Sequence, residues 1–307
     1  MFISKRLQAI RFRCVDADKR VHDKRRGIKR RLTVSALLLL LANCANPVDD
    51  GSPGGRFVFA VADVGQGLAQ FGAAGGRAVA WDVGDNYAAW RAAYVNLGSP
   101  RIESVIISHT DFDHYGALES FGSALDWSGE IVVSVYEDTA KLRETAPAWS
   151  DRIAFRLCAR GDTLRPLGPA VDVICLWPPP GLDKTEFPKE WKNHYSLVFS
   201  ARHGTARALI TSDIDDDAMS EIAAHSRHDL QAQILSVPHH GSAGSVTPLF
   251  FSYATPEVAV ISCSIDNKYG HPSPKMIEEL QYHTDIIKYT YTDGTITFNS
   301  NRYYWNY

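Results

Sequence analysis

Cysteine is scarce in this chain, and its placement rules out a thiolate metal site. The 307 residues contain five cysteines, and no two stand at the spacing of a paired thiolate ligand set. Beyond Cys44 only Cys158, Cys175 and Cys263 remain, an odd number. Cys158 and Cys175 fall in two apolar segments that read as neighbouring strands. They form either a disulfide in an oxidising compartment or two buried thiols. A membrane-length apolar run is also missing. The apolar stretch at residues 32–42 has the length of a signal-peptide core and is short for a membrane span. No internal repeat appears, and no low-complexity tract outside residues 46–55. Positive charge is sparse over most of the chain. The net charge is −3, but residues 1–44 hold 12 Lys and Arg against 3 Asp and Glu. The remainder holds 20 basic and 32 acidic residues, a net of −12. Such a surface repels a long polyanion unless bound metals or a local basic patch reverse the field.

The basic residues that exist are concentrated at the start. Lys24-Arg25-Arg26 and Lys29-Arg30-Arg31 precede the apolar core, as in an export signal. The twenty residues before them are long for such a signal, which fits initiation at Val21. Leu41-Ala42-Asn43-Cys44 resembles a bacterial lipoprotein cleavage box, with Asn43 where that pattern has Gly, Ala or Ser. Residues 1–44 are therefore expected to be an export signal of lipoprotein type, with Cys44 as the lipid-bearing residue. Residues 45–55, rich in Pro, Gly and Asp, read as a flexible tether. Residues 56–307 are left for one folded domain.

Hydrophobic content of 45% and charged content of 22% suit a globular core. Strands are expected at 56–62, just after 67, at 78–81 and at 105–107. More follow at 131–136, 154–158, 171–177, 195–201, 207–211, 234–237 and 257–262. Two short strands around Asp293-Gly294 close the chain. Asn86 is placed to cap a helix running to Asn96, and helices are also expected at 215–224 and 274–282. Hairpins come first, strands then alternate with helices, and the second half repeats the arrangement. The expected fold class is α/β, an αββα sandwich of two mixed sheets between outer helices.

Polar chemistry gathers just after the strands. In Ser108-His109-Thr110-Asp111-Phe112-Asp113-His114-Tyr115-Gly116, four candidate metal ligands fall within six residues: His109, Asp111, Asp113 and His114. If the loop is extended, alternation puts His109, Asp111 and Asp113 on one side and His114 on the other, so one loop could face two ions. Mixed imidazole and carboxylate donors suit zinc, manganese or iron better than calcium. Asp213, His239, His240 and His271 also follow strands. His239 and His240 cannot both point the same way from an extended strand end. One is expected to bind metal and the other to touch substrate or donate a proton. His203, His225, His228 and His283 read as surface residues, and Asp215, Asp216 and Asp217 as a solvated helix start.

Taken together, these motifs resemble the metallo-β-lactamase superfamily over roughly residues 56–298. More narrowly they resemble the hydrolase-like domain of ComEC-type DNA-uptake proteins. The matching segments are Asp63-Val64-Gly65-Gln66-Gly67, Trp81-Asp82-Val83-Gly84, the His109–His114 loop, and Asn193-His194-Tyr195-Ser196-Leu197-Val198. Thr211-Ser212-Asp213, Val237-Pro238-His239-His240-Gly241-Ser242 and Asn267-Lys268-Tyr269-Gly270-His271-Pro272 complete the set. The pattern has an acidic residue where this chain has Leu68, and Gly where it has Ser212.

The resemblance implies a dinuclear site of two divalent ions, zinc or manganese. One ion would lie near His109 and Asp111, the other near Asp113, His114 and His239, with Asp213 bridging them. His240 and His271 would be catalytic. Asp63, Gln66, Asp82, Asn193 and Ser196 would support the ligands or shape the rim. The superfamily's usual third histidine on the first ion is missing, and His194 stands near that slot. The implied activity is an exported metal-dependent hydrolase, most readily a phosphodiesterase acting on a small phosphodiester or nucleotide-like substrate. A nuclease assisting DNA uptake and a non-catalytic binding module on the same fold are the alternatives. The acidic body argues against tight binding of long DNA, and the N-terminal signal or lipid implies a periplasmic or membrane-anchored protein.

Overall fold

The computed structural model describes residues 55–145, 150–183, 185 and 191–306. The expected export signal, Cys44 and all of the tether except Gly55 lie outside the described residues.

Strands dominate the first half: β1 (Phe57–Val61), β2 (Ala69–Ala74), β3 (Arg77–Val83), β4 (Arg101–Ile107), β5 (Glu130–Ser134) and β6 (Ala154–Cys158). The second half supplies β7 (Thr163–Leu164), β8 (Asp172–Trp177), β9 (Val198–His203), β10 (Ala206–Ile210), β11 (Ile234–Ser236), β12 (Val258–Ile261) and β13 (Ile286–Tyr289). β14 (Ile296–Ser300) and β15 (Trp305–Asn306) end the chain. One sheet has the order β15-β14-β1-β2-β3-β4-β5-β6, the other β13-β12-β11-β10-β9-β8-β7. Both are mixed. β3 to β6 run parallel, as do β10 to β13, while the hairpin strands pair antiparallel.

Layering follows from side-chain alternation. Within β1, Val58 and Ala60 face the helices outside the first sheet, while Phe57, Phe59 and Val61 face the second sheet. Both faces are covered, so β1 reads as an unbroken apolar run and is wholly buried. Outside the first sheet, the helix Tyr87–Asn96 starts where Asn86 Oδ1 accepts the Ala89 amide at 3.1 Å. It inserts Trp90 against Phe71 and Phe121. Removing such a ring costs about 3–5 kcal/mol. Outside the second sheet lie the helices Asp216–His225, Pro248–Ala254 and Pro274–Gln281, which bury Met219, Phe250 and Met276. Together these layers make the expected αββα sandwich.

The chain's end departs from expectation. The two short strands around Asp293-Gly294 do not pair with each other. β13 lies parallel to β12 in the second sheet, while β14 crosses to pair with β1 in the first. β14 thereby covers an edge that the hairpin β1–β2 leaves open, a long-range pairing that local patterning does not encode. His203 is also not a surface residue. It is fully buried, with its Nδ1 3.0 Å from Ser300 Oγ between β9 and β14. Cys158 and Cys175 are free buried thiols that meet in the core between the sheets. Among the described residues, no helix is long and apolar enough to cross a membrane.

Candidate metal centre

Parallel pairing puts the carboxyl ends of β3 and β4 on one rim, and those of β10, β11 and β12 likewise. Side chains from these ends converge. After β4 the chain does not stay extended: Phe112–Tyr115 forms one helical turn, with Asp111 at its N-cap position. The expected alternation therefore fails. Coiling brings His109 and His114 together, with ring centroids 4.2 Å apart. The turn 63–67 packs onto this loop. Leu68 N donates to Asp113 O at 3.1 Å, and a Cβ on Gly67 would meet that oxygen at 2.7 Å. Glycine is needed there for close backbone approach.

Asp82 organises the centre from below. Its Oδ1 accepts the Ser108 amide at 2.8 Å, and its Oδ2 accepts from Ser108 Oγ and His114 Nδ1, each at 2.8 Å. With Nδ1 donating to Asp82, His114 presents the lone pair of Nε2 inward. Asp213 follows β10, and its Oδ2 lies 3.2 Å from His114 Nε2 and 3.5 Å from His240 Nε2.

The two histidines after β11 take unlike positions. His239 and His240 are not on an extended strand end; both adopt left-handed backbone, with φ of 50° and 53°. Such conformations cost free energy and cluster at functional sites. The bend turns His240 inward. It is buried, its Nδ1 donates to Ser262 O at 2.7 Å, and its Nε2 lies 3.4 Å from Asp113 Oδ2. His239 stays at the rim, with its Nε2 3.7 Å from Asp213 and its side chain 26% exposed. His240 is thus the buried member of the pair and His239 the rim one, although the resemblance implied metal at His239.

The His109 side is looser. Its Nδ1 lies 3.1 Å from Ser108 Oγ and 3.4 Å from Ser196 Oγ, and its Nε2 lies 3.6 Å from Asp111 Oδ2. Asp111 is 41% exposed and is engaged by Lys192 Nζ at 2.6 Å. Lys192 also donates to Thr110 O at 2.9 Å. The sequence reading missed Lys192, although it adjoins the Asn193 motif. His194 is buried, with its Nδ1 3.1 Å from both carboxylate oxygens of Asp215. Asp215 is thus a buried residue that also caps the following helix through the Ala218 amide, not a solvated one. Asn193 is buried, and Asp63 lies in the 63–67 turn with its amide bonded to Thr295. Gln66 and His271 join Asp111, Asp113, Asp213, His239 and His240 around a cleft of about 100 Å³.

The donor set fits a cation. His109 Nε2, His114 Nε2, His240 Nε2 and Asp213 Oδ1 are buried with no hydrogen-bond partner among the described residues. Buried polar atoms are seldom left so. Two groups, His109–His114–Asp213 and Asp113–His114–His240, each bring their donor atoms within 4.8 Å of one another. The carboxylates favour positive charge on these imidazoles, which protons supply and a bound cation would displace. Burial lowers the His240 imidazole, but Asp213 and Asp113 raise it to about 10. Burial likewise opposes the charge on His114, which Asp213 and Asp82 hold well above its ordinary value. Burial works against the Asp213 carboxylate, yet His114, His240 and His239 keep it well below the usual range. Burial, then repulsion from His239 and His240, push His271 down to about 4.

Comparison with known proteins agrees with this geometry. The family model of the metallo-beta-lactamase superfamily matches residues 72–264. The chain is 26% identical to ComE operon protein 3 of Bacillus subtilis over 202 residues, covering 66% of this chain and 25% of that protein. It is 26% identical to competence protein ComA of Neisseria gonorrhoeae over 271 residues, 86% of this chain and 35% of the relative. The chain thus spans about a quarter to a third of the curated relatives it matches. Among solved structures it is similar in fold to unliganded yeast PDE1, with a TM-score of 0.54 at 12% identity, covering 76% of this chain and 97% of that one.

Proposed function

Because this chain belongs to the metallo-β-lactamase superfamily, whose fold binds divalent metals, we propose that it is a metal-dependent phosphodiesterase with a dinuclear site. The observation that carries this reading is the convergence of three unpartnered imidazole nitrogens and an Asp213 oxygen in one carboxylate-rich cleft. Two divalent ions, zinc or manganese, would supply Lewis acidity and lower the pKa of a bound water there, chemistry suited to a phosphoryl centre. His114, His240 and Asp113 would hold one ion, His109 and Asp111 the other, with Asp213 between them. Asp82 would keep His114 in its ligand tautomer, and the Ser262 carbonyl would do the same for His240. His271, held neutral at pH 7, would donate a hydrogen bond to a phosphoryl oxygen and is a poor proton source. That leaves His239, at the rim, to pass a proton to the leaving group.

A second reading, a nuclease assisting DNA uptake, is favoured by the competence relatives. The net of −12 beyond residue 44 argues for a small diester over long duplex DNA. Tight duplex binding with a steep inverse salt dependence would promote the nuclease reading. We further propose export, with a lipid at Cys44 as membrane anchor, from the basic region and apolar core before it. Mass spectrometry of the mature N-terminus tests this, and an unmodified chain beginning at Met1 in the cytoplasm refutes it. The central test is Asp213→Ala. Metal analysis should show at least one ion lost, and turnover of bis(4-nitrophenyl) phosphate should fall by several orders of magnitude, while circular dichroism is unchanged. Full metal content with normal turnover in that variant sinks the dinuclear reading.

A further inference from the structure

Beside the cleft at the metal centre lies a second, larger and open cavity of about 400 Å³. Gln66, Asp113 and Tyr269 line both, so the two adjoin. The outer walls carry two aromatic rings that a core would normally bury: Phe112 is 63% exposed and Tyr269 56% exposed. A ladder of near-parallel rings joins this cavity to the ligand set. His240 and His271 lie 6.2 Å apart at 16°, and His271 and Tyr269 lie 5.7 Å apart at 23°.

We propose that this cavity is a subsite for a planar heteroaromatic substituent of the substrate, a nucleobase in chemical class, which lies against Phe112 and Tyr269. Flat rings gain from stacking on aromatic faces whatever their sequence identity. The loop bearing Tyr269 is fixed for this. Asn267 spends its amide on Ser264 O and His271 O, and its carbonyl accepts from the backbone of Tyr269 and His271. The charge in the cavity selects further. Asp85, Asp113 and Asp266 face a single Lys268, whose Nζ sits 5.0 Å over the Tyr269 ring. Acceptors in that excess favour a guest that donates, as exocyclic amines and ring N–H groups do, and repel a further phosphate. Gln66 stands at the join. Its Oε1 accepts the Ser264 amide, while its buried Nε2 has no hydrogen-bond partner among the described residues. That donor suits an oxygen of the phosphodiester between the two cavities.

The proposal rests on the phosphodiester reading only where turnover is measured, so binding is tested first. Adenosine, which carries no phosphate, is titrated into the metal-loaded protein and followed by NMR, with ribose as control. Phe112→Ala and Tyr269→Ala should each weaken adenosine by at least about fivefold, the low end for losing one stacking ring. Both side chains are exposed, so the fold should persist. No adenosine binding at millimolar concentration, or equal binding by the double variant, overturns the subsite. Adenosine binding without hydrolysis of any diester keeps the subsite and sinks the hydrolase reading instead. In turnover, thymidine 5′-(4-nitrophenyl) phosphate should show a KM about tenfold below that of methyl 4-nitrophenyl phosphate. Phe112→Ala should close that gap. Equal KM values for the two esters in the unaltered protein also overturn it.

Discussion

The two sides of the metal centre are built differently. On one side, each donor is braced by another group. His114 is held by Asp82, His240 by the Ser262 carbonyl, and Asp113 sits where its own carbonyl accepts the Leu68 amide. On the other side, His109 Nδ1 meets serine hydroxyls, and the half-exposed Asp111 is engaged by Lys192. The two candidate donor groups also share His114, whose Nε2 can serve one ion only. A braced donor loses little freedom on binding, so the braced side should fill first and release its ion last. The looser side should exchange, and its occupancy should set how active a given preparation is.

The largest effect expected comes from breaking the braced side. His240→Ala should abolish tight binding of one ion and lower turnover on the order of 10³-fold or more, as for a residue acting within a catalytic unit. His109→Ala should also cost activity but leave one ion bound through dialysis. Metal analysis after dialysis separates the two. If His109→Ala strips all metal and His240→Ala keeps it, the assignment of sides is reversed.

Removing a brace should cost less. Asp82→Asn keeps the size of the side chain but weakens the acceptor for His114 Nδ1. Metal affinity should fall about 10- to 100-fold, the range for groups that orient ligands. Competition with a chromophoric chelator measures it. Because Asp82 also holds the Ser108 amide and hydroxyl, thermal stability should be followed in the metal-free protein as well. An unchanged affinity with lowered stability would make Asp82 a residue of the fold alone.

Lys192 offers a smaller test of the loose side. Its ammonium competes with a cation for Asp111, whose carboxyl the nearby His109 imidazole and Lys192 together hold well below the usual carboxylate range. Lys192→Met should free Asp111 and tighten the second ion by about two- to fivefold, since both partners are partly solvated. Weaker binding in Lys192→Met would show that Lys192 positions Asp111 for the metal.

How much of this was legible in the sequence differs between the sheets' ends and the strands themselves. Apolar runs such as Phe57–Val61 and the cap at Asn86 announced the elements directly, because both signals are local. Residue types at the strand ends announced the donors. Their directions did not follow, because direction depends on backbone that coils or bends. Phe112–Tyr115 coils, so alternation misplaced His114, and the left-handed turn of His239 and His240 leaves one buried and the other at the rim in a way that alternation did not decide. Burial of His203 and Asp215 depends on partners 97 and 21 residues away, and no window of sequence holds both ends.

Ser212 carries the smallest and most local test, because its residue type and its backbone disagree. The pattern this chain resembles has glycine there, and Ser212 indeed stands at φ 46°, in the left-handed region. An L residue there costs about 1–2 kcal/mol. Against that, Ser212 Oγ donates to Ser108 Oγ at 2.5 Å and lies 3.4 Å from Asp82 Oδ2, inside the brace on His114. Serine thus gives up backbone ease for a hydroxyl that ties the second sheet to the Asp82 network. Ser212→Ala keeps the strain and loses the hydroxyl. Ser212→Gly loses the hydroxyl and relieves the strain, less the flexibility that glycine adds to the unfolded chain. In urea unfolding of the metal-free protein, Ser212→Gly should exceed Ser212→Ala in stability by about 1 kcal/mol. Both variants should bind metal slightly more weakly than the unaltered protein, because Asp82 loses part of its setting. Equal stability of the two variants would mean that the left-handed turn carries no strain. Unaltered metal affinity in both would confine the Asp82 brace to Ser108 and His114.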